Sequence, residues 1–145
     1  MKGTIRVLFV ILLMSWVAAS PRGKVGGESA DTPAGQVVAY YFHTTARCST
    51  CLKIEALAKE AIEQTYASEL NSGSLKWQVV NVETPENRHY VQDFKLITKS
   101  LVLVDEVDGK PRRWKNLEKI WELVWSPESY KDYVRSELAQ FIKGH

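Results

Sequence analysis

Apolar and polar positions alternate along this chain in two rhythms. QVVAYYFH, residues 36–43, is a nearly unbroken run of β-branched and aromatic residues, the composition of a strand covered on both faces inside a parallel sheet. From Cys48 to about Leu70 the period changes. Ile54, Leu57, Ala58, Ala61 and Ile62 recur at three and four residues, with Lys53, Glu55, Lys59, Glu60 and Glu63 between them, which predicts an amphipathic helix ended by Asn71-Ser72-Gly73-Ser74. LKWQVVNV, 75–82, predicts a second strand. Thr84-Pro85-Glu86-Asn87 then opens a short helix to about Phe94, with Thr84 as N-cap and Pro85 at the first helical position. SLVLVDE, 100–106, is a third buried strand, and Asp108-Gly109 is a tight turn into PRRWKN, so strands three and four form a hairpin. Leu117, Ile120, Trp121 and Val124 stand at helical spacing before a break near Ser126-Pro127. A final helix carries Tyr130, Val134, Leu138 and Phe141 on one face. Strand, helix, strand, helix, strand, strand, helix is the order of an α/β sandwich with a mixed sheet.

The amino terminus departs from this pattern. Lys2 and Arg6 precede a mostly apolar run from Val7 to Ala19, the form of a secretory signal cleaved after Ala19; the run is short of the roughly 20 residues an uncleaved anchor helix needs. Residues 20–35, rich in Gly, Ser and Pro, read as a flexible lead-in, and the folded domain is expected over 36–145. The mature chain is thus expected outside the cytoplasm, in the periplasm, with no stable membrane insertion. A chain of 145 residues needs no disulfide to hold its core together. Its formal charge of +2 vanishes once Lys2 and Arg6 are removed, which argues against nucleic acid as a partner.

The candidate chemistry lies in the only two cysteines, Cys48 and Cys51, at the predicted turn from the first strand into the first helix. Two thiols at i and i+3 lie on one side of a helical turn, within reach of a disulfide. The helix amino terminus favours thiolate at the first, so Cys48 is the expected nucleophile and Cys51, nearer the buried face, the thiol that resolves a mixed disulfide with a protein partner. Arg47, and Lys53 if its side chain turns that way, would favour the thiolate further; otherwise both are solvated. As a staple, so short a loop contributes little of the roughly 2 to 4 kcal/mol of ordinary bridges. Zinc is disfavoured because no second C-x-x-C exists and His43, His89 and His145 lack finger spacing, and haem attachment because Leu52 stands where histidine is needed. Copper(I) or arsenite could still use the two sulfurs, with His43 five residues before Cys48 as a third ligand; the competing reading of His43 is a strand-end residue with a local hydrogen bond. No cofactor is expected: the sequence holds no hydrolase constellation, phosphate loop, nucleotide signature or flavin signature. Trp77, Trp114, Trp121 and Trp125 read as packing residues rather than a stacking site. Lys110, Arg112, Arg113 and Lys115 read as edge-strand charges that block association rather than as an anion site.

C-x-x-C at the turn from the first strand into the first long helix resembles the thioredoxin fold over about residues 36–143. That resemblance implies a three-layer sandwich, a central four-stranded mixed sheet flanked by helices. The runs YYFHTTARCSTCLKIE, NVETPENRHYVQDFKLITKSLVLV and WKNLEKIWEL resemble the small secreted thioredoxin-like proteins named as the ArsF family of nitrophenyl compound nitroreductase subunits. For a chain without a flavin signature, that label implies electron transfer to a partner that binds the cofactor. Against the thioredoxin pattern, Thr98 or Lys99 stands where a cis-proline is expected. A cis peptide there would cost about 2.5 to 4 kcal/mol, and the loop either brings the Lys99 ammonium near Cys48 or turns it to water. The place of the family's buried acid falls at Tyr41 or Phe42. Arg47 replaces the tryptophan before the first cysteine, and Ser49-Thr50 between the thiols lacks the reducing proline, which together imply a potential less reducing than that of cytosolic thioredoxin.

Overall fold

The computed structural model describes residues 35–144; the expected signal sequence, the lead-in up to residue 34 and His145 lie outside the described residues. β1 (Gln36–His43), β2 (Leu75–Asn81), β3 (Ser100–Val107) and β4 (Lys110–Asn116) form one sheet in the order β2-β1-β3-β4. β1 is parallel to β2 and antiparallel to β3, and β3 is antiparallel to β4, so the sheet is mixed as expected.

The unbroken apolar run of β1 follows from its central place. Val37, Ala39 and Tyr41 join Leu101 and Leu103 of β3 in one core, and Val38, Tyr40 and Phe42 join Val102 and Val104 in another on the opposite face. The first core is closed by α1 (Ser49–Thr65), α4 (Ile120–Leu123) and α5 (Pro127–Lys143), through Ile54, Ala58, Ile62, Ile120, Val134 and Leu138. The second is closed by Phe94 and Tyr90 at α3 (His89–Asp93), where Tyr90 and Phe94 stack on each other and tilt against Phe42. Helices on both faces of a four-stranded mixed sheet make the thioredoxin-like three-layer sandwich.

The structure divides the long first helix. α1 ends at Thr65 and a separate α2 (Ala67–Ser72) follows, because Tyr66 leaves helical geometry at φ −119°, ψ 32° and turns inward, its hydroxyl donating to Arg135 O at 2.8 Å. Apolar spacing cannot register this, since a buried tyrosine fits the helical stripe whether or not the backbone breaks beneath it. Thr84 occupies the expected cap position before a 3₁₀ turn, Pro85–Asn87, but makes no capping bond: its hydroxyl donates to Asn81 O at 3.2 Å. The hairpin turn is as expected, with both Asp108 (φ 53°) and Gly109 (φ 71°) at positive φ as a primed two-residue turn demands.

β4 is an edge strand, and three of its four cations, Arg112, Arg113 and Lys115, have partners within the domain. Pairing passes from Asp105↔Arg113 to Glu106↔Pro111, which leaves Arg112 as the extra residue of a bulge. Its guanidinium meets the buried Asp105 carboxylate at 2.6 and 3.0 Å. Arg113 donates to Phe141 O at 2.7 Å and lies over the Phe141 ring, and Lys115 pairs with Glu137. These contacts tie the hairpin's outer strand to α5.

Candidate functional site

Sheet topology places the cysteines. β1 ends at His43, residues 44–47 turn, and α1 begins at Ser49 with Cys48 as its N-cap in extended geometry (φ −84°, ψ 161°). Cys48 and Cys51 form a disulfide with Cα atoms 5.1 Å apart. Cys48 is exposed and Cys51 is buried, the asymmetry expected of an attacking and a resolving sulfur. The Cys51 amide donates to Cys48 Sγ at 3.1 Å, and Leu52 N donates to Cys48 O at 3.0 Å. The first sulfur thus occupies the acceptor position that a capping serine or aspartate oxygen fills elsewhere, at the positive end of a helix dipole. α1 has no acidic residue in its first turn to compete for that field.

Tyr41 forms the floor. It projects from β1 toward α1, fully buried, and its hydroxyl donates to Cys51 O at 2.8 Å; Tyr130 of α5 donates to Ile54 O at 3.0 Å three residues further on. Burial pushes the Tyr41 phenol up to about 12, with nearby Arg47 acting downward and Glu55 upward. Burial likewise holds Tyr130 far above the ordinary phenol range. Of the two positions where a buried acid was sought, Tyr41 reaches the backbone of Cys51, while Phe42 faces the opposite core.

The expected modulating residues have other partners. Arg47 is half-buried and its guanidinium pairs with Glu55, one turn beyond Cys51. Lys53 lies over the ring of Trp125 at 5.1 Å. Trp125 was expected to pack, yet it is 69% exposed, whereas Trp77 and Trp121 lie against the main core and Trp114 meets Phe94 edge-on. His43 makes the local bond, Nδ1 to Thr44 O at 2.9 Å, and its ring stacks on Tyr41. Among the described residues no three His, Cys, Asp or Glu side chains gather as a metal site.

The loop before β3 sits at the same end of the sheet, since Ser100 pairs with Phe42 beside His43. Its peptide bonds are trans, and Trp121 holds it by donating Nε1–H to Lys99 O at 3.1 Å. A half-open cavity of about 310 Å³ lies between this loop and the segment after β4, lined by Lys99, Asn116, Glu118 and Trp121 among others. Lys99 stands near enough to Glu83, just past β2, for its charge to favour the ionised carboxyl.

Glu83 also fixes the loop that delivers Cys48. The Thr45 amide donates to its carboxylate at 2.8 Å and Asn81 Nδ2 donates to Thr45 Oγ1 at 3.1 Å. The Thr45 bonds first, then Lys99 and Arg88, hold the Glu83 carboxyl below its ordinary range. A carboxyl depressed in the folded state contributes above its unfolded pKa, and that contribution is lost as pH falls through the folded value. The Thr45 amide resonance should therefore hold steady through the ordinary glutamate range near about 4.3 and move only at lower pH. Acid titration by NMR checks this, and Glu83→Gln should remove the transition.

Sequence reasoning missed Glu55, Glu83 and the Tyr41 hydroxyl. Only Glu55 carried a signal, its spacing of four from Cys51. The chain matches no known protein-family model, no curated protein and no solved structure.

Proposed function

We propose that this chain is a thiol–disulfide exchange protein that passes two electrons to or from a protein partner, with Cys48 as nucleophile and Cys51 as the resolving thiol. The observation that carries the reading is an exposed Cys48 sulfur accepting the Cys51 amide at the head of α1, with Cys51 buried directly behind it. On reduction the same amide and the helix dipole favour the Cys48 thiolate, and the 5.1 Å Cα separation lets Cys51 close the bond again without backbone movement.

A protein rather than a small thiol is the partner this surface suits. Leu52 beside Cys51, Trp125 against Lys53 of the same helix, and Ile97, 97% exposed in the loop before β3, are exposed apolar side chains on the elements at this end of the sheet. The secretory signal read from residues 1–19 accords with a periplasmic location, where a pair can cycle through the oxidised form. The resemblance to nitroreductase subunits adds one candidate partner, a reductase that carries the cofactor this chain has no signature for. Among the described residues no helix is long and apolar enough to cross a membrane.

Equilibration in glutathione redox buffers, with thiol alkylation as readout, tests the proposal. The pair should titrate reversibly as one two-electron couple, at a potential above the roughly −270 mV of thioredoxin, because Ser49-Thr50 lacks the reducing proline. A pair that never re-forms its disulfide across the series ends the reading and favours the dithiol as a soft-metal ligand.

A further inference from the structure

Resolution of a mixed disulfide requires the Cys51 thiol to lose its proton, and β1 offers no carboxylate to take it: the residue beneath Cys51 is a tyrosine whose hydroxyl is already donated to Cys51 O. The nearest acid on the same helix is Glu55. Positions 51 and 55 lie one turn apart on one face of α1, with Cys51 buried and Glu55 at the border of the buried stripe. Helical side chains lean toward the amino terminus, so Glu55 lies over the turn that holds Cys51. The Arg47 pairing fixes this direction. Arg47 immediately precedes Cys48, so its ion pair draws the Glu55 carboxylate toward the head of α1, the end that holds Cys51.

We infer that Glu55, held by Arg47, accepts the Cys51 proton when Cys51 attacks the mixed disulfide, supplying from the helix the acid that the strand lacks. The inference rests on the exchange activity proposed above. The Cys51–Sγ to Cys48–Sγ bond forms and the bond from Cys48 to the partner sulfur breaks. The partner leaves as thiolate carrying the electron pair, and the cysteine pair is oxidised by two electrons. The proton goes from Cys51 to the Glu55 carboxylate, which is about a quarter exposed and passes it to water. The groups around the carboxylate are Arg47 of the preceding loop, Tyr41 of β1 and, behind Tyr41, Tyr130 of α5. Lys59, one turn further along α1, is paired with Glu63 at 2.6 Å, and Lys53 is turned to Trp125. Tyr41 keeps its proton throughout and serves as a positioning residue through Cys51 O.

Dithiobis(nitrobenzoate) separates the two steps. Added at one equivalent to the reduced full chain, it yields one thionitrobenzoate when Cys48 attacks and a second when Cys51 resolves, both followed by stopped-flow absorbance. Glu55→Gln, which preserves shape and a hydrogen bond to Arg47, should slow the second phase relative to the first by on the order of 10²-fold near about pH 6, the low end for a positioned base. The two proteins should converge at alkaline pH, where Cys51 ionises unaided; that convergence also shows the fold intact. A second phase with the wild-type pH profile in Glu55→Gln, or equal slowing of both phases at every pH, overturns the assignment of Glu55. A wild-type chain that releases no thionitrobenzoate faster than a free thiol instead overturns the exchange activity itself.

Discussion

Cys48→Ser should reduce thiol–disulfide exchange to the uncatalysed background, while Cys51→Ser should leave the first attack intact and hold the partner as a stable mixed disulfide. A free cysteine is only a few per cent thiolate at neutral pH, whereas a helix amino terminus lowers the pKa to the range of about 3.5 to 7.5, so from about a quarter to nearly all of the sulfur is ionised. Cys48 has what that shift requires: the N-cap position of a 17-residue helix, the Cys51 amide at 3.1 Å, and no first-turn acid. A serine hydroxyl there would accept the same amide and cap the helix equally well, so stability should change little while the nucleophile is lost. The readout is the covalent adduct. Mass spectrometry after incubation with a small disulfide should show one added thiol on Cys51→Ser, none on Cys48→Ser, and an intramolecular bridge in the wild type. An adduct on Cys48→Ser, or none on Cys51→Ser, would reverse or remove the assigned roles.

The fold was legible because its signals are local. The strand runs, the break at Asn71–Ser74, the Asp108-Gly109 turn and the helical stripe of α5 each follow from composition or period over a few residues, and strand order then follows from few topological options. The cysteine pair was legible for the same reason, since spacing within one turn and position at a helix start fix its geometry. What surrounds the pair was not. The Arg47–Glu55 pairing spans two turns, the Tyr41 hydroxyl reaches α1 from a strand, and Thr45 is tied to Glu83 across the sheet end. Each depends on which of several polar neighbours a side chain meets once the chain is folded, and hydrophobic period carries no such information. Trp125 fails for the opposite reason: an aromatic residue predicts burial only on average, and here Lys53 covers one ring face while the rest stays in water.

Tyr130→Ala should cost about 3 to 5 kcal/mol, the usual range for removing a buried aromatic, and so remove a large part of a stability expected at about 5 to 15 kcal/mol. Tyr130 is fully buried on α5 within the main core, and its hydroxyl reaches Ile54 O, so ring and hydroxyl together bind α5 to the helix that carries the cysteines. The two contributions separate experimentally. Tyr130→Phe keeps the packing and removes one donor from a carbonyl inside α1 that retains its helical bonding, and it should cost only about 1 kcal/mol. Urea unfolding of the oxidised protein measures both, and equal losses would mean the hydroxyl carries the contact. Because the lost packing lies behind α1 and not at its exposed head, the destabilised Tyr130→Ala protein should still form the Cys48–Cys51 bridge below its unfolding transition. Site chemistry and fold stability then respond to different substitutions, since the reactive geometry is set within the first turn of α1 while the helix is held in place from its opposite side.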